Sequence, residues 1–170
     1  MLFHYEEFES PIGRILFASD GEAVSMLDFS GFEDRLTTLL TRRFGKFEFK
    51  RGSDPQNIRA LLKRYFQGEL NALARTPVRG GGSKFQEEVW HALRKIPAGS
   101  TWSYGQLASR VNRPKAARAV GRANAVNPVA IIVPCHRVIG ASSSLTGYGG
   151  GLERKQWLLE HEGALRQRSL

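Results

Sequence analysis

Hydrophobic and polar positions alternate differently in the two halves of the chain. In the first half, strand-like runs at residues 3–8, 14–18 and 23–29 are separated by the turn sequences Ser10-Pro11-Ile12-Gly13 and Asp20-Gly21. They predict a small antiparallel meander. Phe32, Leu36, Leu39, Leu40 and Phe44 fall at helical spacing, as do Ile58, Leu61, Leu62, Tyr65 and Phe66 ahead of Gly68, and residues 47–49 can add a strand. There is no internal repeat and no catalytic or metal-ligand spacing in this half, so its expected role is structural.

The second half reads as helices with explicit start signals. Ser83-Lys84-Phe85-Gln86 fits a capping box, followed by an apolar stripe of Phe85, Val89, Leu93 and Ile96 that Pro97 and Gly99 end. A second box, Ser103-Tyr104-Gly105-Gln106, opens a short helix. Asn112-Arg113-Pro114 makes a turn, and residues 115–125 predict a third helix with Pro114 at its start. A last helix is expected from Leu152 to about Glu162, ended by Gly163. The expected class is α/β (α+β), with a small N-terminal antiparallel sheet and helices followed by a mostly helical C-terminal domain containing a helix-turn-helix. Arg79-Gly80-Gly81-Gly82 is the best linker, dividing residues 1–80 from 81–170; the alternative is a loop within one domain.

Charge adds a partner to this picture. The 170 residues carry a formal net charge of +9, and residues 110–122 hold Arg110, Arg113, Lys115, Arg118 and Arg122 with no acid among them. Cations so concentrated suit a polyanion, and on a helix-turn-helix that polyanion is DNA. The small residues Ala116, Ala117, Ala119, Gly121 and Ala123 let the second helix approach closely, which suits either a nucleic-acid groove or a neighbouring helix. The single cysteine excludes an intramolecular disulfide framework, and residues 1–7 offer neither a basic leader nor a secretory apolar run. A cytoplasmic location is expected, with no membrane partner, no metal and no cofactor.

The cysteine lies in Val133-Pro134-Cys135-His136-Arg137-Val138-Ile139-Gly140. A nucleophilic thiol needs a base or a cationic setting, which His136 offers; a lone buried cysteine is otherwise an inert small hydrophobe. In an extended strand Cys135 and His136 would face opposite ways, so they communicate only if the chain bends or a water bridges them. Asn127, ahead of Pro128, is either a turn-former or the anchor of that bend. Glu162 falls on the apolar face of the last helix and at the wrong end of its dipole, so it is either a polarising partner for histidine or a solvated terminal residue.

Together these segments, with Tyr104-Gly105-Gln106-Leu107-Ala108, Ala116-Ala117-Arg118-Ala119-Val120-Gly121, Asn127-Pro128, Gly147-Tyr148 and the run from Trp157 to Gly163, resemble the O6-alkylguanine-DNA alkyltransferase family. The resemblance covers residues 83–163, and the first half only loosely. It implies a direct-reversal repair protein that moves the alkyl group from guanine O6 to Cys135, irreversibly, in one turnover. It further implies that His136, linked through a water to Glu162, generates the thiolate, that Tyr104 donates a proton toward the departing guanine, and that Asn127 braces the segment before the cysteine. Arg118 would fill the gap left by the rotated nucleotide, with Lys115, Arg122 and Ala119 also on the DNA side. Val138, Tyr148 and Gly149 would line the base pocket, and since relatives often have serine at the position of Gly149, any contact to O6 there would be through its backbone N–H. The implied partner is double-stranded DNA carrying O6-alkylguanine, bound by a monomer, with action on O4-alkylthymine and cooperative loading left open. Two readings compete with transfer: a lesion-binding module without chemistry and a Cys-His hydrolase.

Overall fold

The computed structural model describes residues 1–31, 33–140 and 147–165, without the side chains of Glu33 and Leu36. Phe32 and the side chain of Leu36, both expected on the stripe of the first helix, lie outside the described residues. The chain forms two compact units, one of residues 1–82 with 128–132 and one of residues 83–127 with 133–170. No described helix is long and apolar enough to cross a membrane.

The first unit is built on strands β1 (Leu2–Ser10), β2 (Gly13–Ser19), β3 (Val24–Phe29) and β4 (Glu48–Arg51), in the order β3-β2-β1-β4. Ser10 closes the β1–β2 turn, its hydroxyl donating to the Gly13 carbonyl at 2.6 Å and accepting from the Ile12 N–H at 3.2 Å. Gly13 takes φ 112°, a conformation that costs glycine nothing. The sheet is mixed rather than antiparallel, because β4 runs parallel to β1. Helix α1 (Glu33–Phe44) supplies the crossover that a parallel neighbour needs. Phe3, Ala18, Met26 and Leu40 are buried together, and Phe44 and Phe47 meet the Phe3 ring edge-on at 5.5 and 5.6 Å. Helix α2 (Ile58–Phe66) adds Phe66, stacked on Phe8 of β1 at 6.0 Å.

The free edge of β3 is covered by two returning segments. Val24 bridges Val78, and Leu27 bridges Val129, its N–H donating to Pro128 O at 3.0 Å and its carbonyl accepting from Ala130 N at 2.9 Å. Covering the edge removes a template for intermolecular pairing. The segment 128–132 ends in a γ-turn in which Ile132 N donates to Ala130 O at 2.7 Å around Ile131 at φ 67°. A β-branched residue there is strained by roughly 1–3 kcal/mol. Burial of Ile131, 3% exposed, helps to hold it in place.

The second unit contains α3 (Lys84–Leu93), α4 (Tyr104–Arg110), α5 (Ala117–Ala125) and α6 (Leu152–His161), with a two-stranded parallel sheet of β5 (Trp102–Ser103) and β6 (Val138–Ile139). Both capping boxes form: Ser83 and Ser103 each accept from the N–H three residues on and are answered by Gln86 and Gln106. Trp90 of α3 donates its indole N–H to Ala123 O of α5 at 2.8 Å. Helix α5 begins at Ala117, not at residue 115 as expected. Pro114 and Lys115 belong to the preceding turn, closed by Ala116 N donating to Arg113 O at 2.9 Å. Lacking a side-chain cap, the helix starts only after this turn.

Candidate active site

Cys135 sits on a bend that the backbone itself makes. Its N–H donates to Val133 O at 2.8 Å around Pro134 at φ −82°, ψ 65°, an inverse γ-turn that the proline ring favours. Cys135–Arg137 then form one 3₁₀ turn, with Arg137 N donating to Pro134 O at 3.0 Å. The extended chain that would separate Cys135 from His136 is therefore absent. Two amides hold the bend: Asn127 Nδ2 donates to Val133 O at 2.8 Å, and Asn124 Nδ2 reaches Cys135 O at 3.4 Å.

Behind the cysteine lies a buried ionic cluster. His136 Nε2 donates to Glu162 Oε2 at 3.0 Å, with both side chains inaccessible to solvent. The contact is direct, where the sequence reading had a water between them. Glu162 also takes a two-pronged hydrogen bond from Arg137, Nε to Oε1 at 2.8 Å and Nη2 to Oε2 at 2.9 Å. Arg137 Nη1 donates to Ile96 O at 2.7 Å. Burial works against the Glu162 carboxylate, but His136 and the Arg137 fork outweigh it and hold the group well below the usual carboxylate range. Burial also pushes His136 below its ordinary value, against the pull of Glu162, so the imidazole is neutral at pH 7. With the Nε2 proton committed to Glu162, Nδ1 is an acceptor, buried and without a hydrogen-bond partner among the described residues.

Lys155, on α6, is fully buried and donates its ammonium to Val138 O at 2.6 Å. Burial pushes it down to about 8, and the negative charge of Cys135 partly opposes that shift. Sequence reasoning missed both Arg137 and Lys155. Lys155 lies three residues before Leu158 and four before Leu159, both buried, so it shared with Glu162 the signal of a charge on an apolar stripe. Arg137 carried no such signal, because its partners Ile96 and Glu162 lie 41 and 25 residues away.

The remaining expected residues fall on three elements. Pairing of Trp102 with Val138 and Ser103 with Ile139 brings the start of α4, and with it Tyr104, beside the chain that follows the cysteine. The Tyr104 ring lies over Gly121 of α5, where an added Cβ would touch it at 3.6 Å. Arg118 and Arg122 are exposed one helical turn apart on α5, Ala119 is half-buried between them, and Lys115 is exposed in the turn before it. Tyr148 is half-buried and Gly149 exposed, in a turn closed by Gly151 N donating to Tyr148 O at 2.9 Å.

Residues 84–164 match the family model described as 6-O-methylguanine DNA methyltransferase, DNA binding domain, and residues 3–79 match the ribonuclease-like domain of the same family. A methylated-DNA–protein-cysteine methyltransferase of Mycobacterium tuberculosis is 46% identical over 165 residues, covering 95% of this chain and 93% of that protein. One from Methanosarcina acetivorans is 44% identical over 161 residues, covering 95% of this chain and 99% of that protein. Among solved structures, Mycobacterium tuberculosis OGT in complex with DNA is similar with a TM-score of 0.79 and 43% identity, covering 95% of this chain and 93% of that one.

Proposed function

The chain belongs to the 6-O-methylguanine DNA methyltransferase family, and on that premise we propose that it repairs DNA by transferring the alkyl group of O6-alkylguanine to its own Cys135. The observation that carries this reading is the buried His136, its Nδ1 open and its Nε2 held by Glu162, next to a cysteine on a fixed bend. His136 Nδ1 takes the thiol proton, directly or through one water, and Glu162 steadies the imidazolium that results. The Cys135 sulfur then attacks the saturated carbon on O6. The S–C bond forms as the C–O bond breaks, and the electron pair passes to guanine, which receives a proton from the Tyr104 hydroxyl. The product is a thioether that water does not readily cleave, so each molecule acts once.

The damaged base must leave the stack to reach a buried thiol, at a cost of a few kcal/mol. Arg118 fills the space it vacates, Lys115 and Arg122 hold phosphates, and Ala119 and Gly121 keep α5 slim enough to approach the groove. Val138, Tyr148 and the Gly149 N–H line the base pocket. The Val138 carbonyl keeps a second lone pair for a base amino group while Lys155 occupies the first. The protein works in the cytoplasm as a monomer without a cofactor.

Incubation with a duplex carrying O6-methylguanine should add one methyl mass to the peptide containing Cys135, and Cys135→Ser should stay unmodified. Unmodified wild-type protein that still binds the lesion would leave only a binding module, and multiple turnovers on a thioester would point to hydrolysis instead.

A further inference from the structure

One basic groove of the second unit has no part in the chemistry above. It lies between α3 and the end of α4, encloses about 420 Å³, and is lined by Glu88, His91, Lys95, Arg110, Asn112 and Arg113 around a small apolar floor. Lys95, Arg110 and Arg113 are all exposed. Two of the three are preorganised: the Arg110 guanidinium lies 4.9 Å from the Trp102 ring centre and that of Arg113 5.0 Å from the Phe85 ring centre. A guanidinium held against an aromatic face has lost part of its rotamer freedom and still presents N–H groups at its rim. Among the described residues Glu88 is the one carboxylate lining the groove, and at 3.7 Å from Arg113 Nη2, with both side chains partly exposed, it neutralises little. Cations near helix C-termini also complement the helix dipole, but that does not account for three cations around one concavity, two of them on ring faces.

We propose that this groove is a phosphate-binding subsite that grips the DNA backbone beside the helix-turn-helix. The inference rests on the reading that α4 and α5 bind duplex DNA. Asn112 and Arg113 belong to the turn leading into α5, so a backbone approaching Lys115 and the start of α5 passes along the groove. In helix-turn-helix proteins the first helix crosses the backbone in this way. The occupant is a phosphodiester chain, bound by charge and without regard to base sequence.

The test is duplex affinity measured against salt concentration, on lesion-bearing and undamaged DNA. Arg110→Gln, Arg113→Gln and Lys95→Gln remove the charge but keep part of the stem over its ring or along the helix. Each should lower the salt slope by about one, and the triple variant by about three, with the same fold-loss on both duplexes. Arg113→Lys should keep the slope, and Glu88→Gln should tighten binding. A triple variant that melts like the wild type and retains its slope overturns the groove assignment alone. So does a loss confined to concentration-dependent cooperativity, which would make the groove a contact for a second copy. A wild-type protein with no salt-dependent duplex binding would overturn the DNA reading and the groove with it.

Discussion

Glu162 receives His136 and both prongs of Arg137 in a site closed to solvent. Glu162→Gln would leave a buried guanidinium without its counter-charge, and we expect a loss of roughly 3–5 kcal/mol of stability, read by urea unfolding. The pH dependence has a definite sign. A carboxylate whose folded value is depressed contributes stability that is fully present above its unfolded value and is lost as pH falls through about 4 toward the folded value. Wild type should therefore lose more stability between pH 5 and 3 (about two units) than the variant does; equal losses would remove Glu162 from the ionised cluster. Lys155 has the opposite consequence. Its folded value is lowered to about 8, so the unfolded chain binds more protons above that pH, and stability rises from about 8 toward the ordinary lysine value. Lys155→Met should abolish that rise and move the thiol titration of Cys135 upward, followed by alkylation with a small electrophile across pH. An unshifted midpoint would mean that the ammonium only anchors Val138.

At the level of elements, local signals were legible and long-range ones were not. The capping boxes at Ser83 and Ser103 act over three residues, and both form where the sequence puts them. Pro114 suits a first turn and so places Lys115 in a helix on sequence grounds, yet the Arg113–Ala116 turn competes for the same residues and wins where no side chain caps the helix. The direction of β4 was not readable, since it depends on where α1 returns the chain. Communication between Cys135 and His136 requires a bend, and two γ-turns and a 3₁₀ turn supply it through hydrogen bonds spanning two or three residues. Arg118 tests the role of α5. If it stands in for the extruded nucleotide, Arg118→Ala should slow repair in duplex by about tenfold or more, because unstacking costs a few kcal/mol. Reaction with free O6-benzylguanine should slow much less, and equal losses on the two substrates would argue against a flipping role.

Across the whole molecule, the split of composition near residue 80 gave the two regions of different pattern but not their interleaving. Residues 128–132 extend the edge of β3, whereas the chain on either side of them belongs to the helical unit. Nothing local in Val129-Ala130-Ile131-Ile132 distinguishes a strand of one unit from a core segment of the other. A fragment of residues 83–170 should consequently aggregate or bind a hydrophobic dye more strongly than the full chain, because the apolar residues 129–132 lack the Leu27 edge. A fragment as soluble and as cooperative in melting as the full protein would contradict that dependence.

The same threading imposes an order in time during synthesis. The sheet of the first unit can assemble early, but its β3 edge waits for Val129, about 100 residues after Leu27. Cys135 follows within a few residues and Glu162 later still. The nucleophile and its base His136 thus emerge from the ribosome before the carboxylate that orients the imidazole exists, and a chain stalled between the two carries a Cys-His pair without Glu162. Only a chain that has grown past Glu162 holds the whole relay for its single reaction.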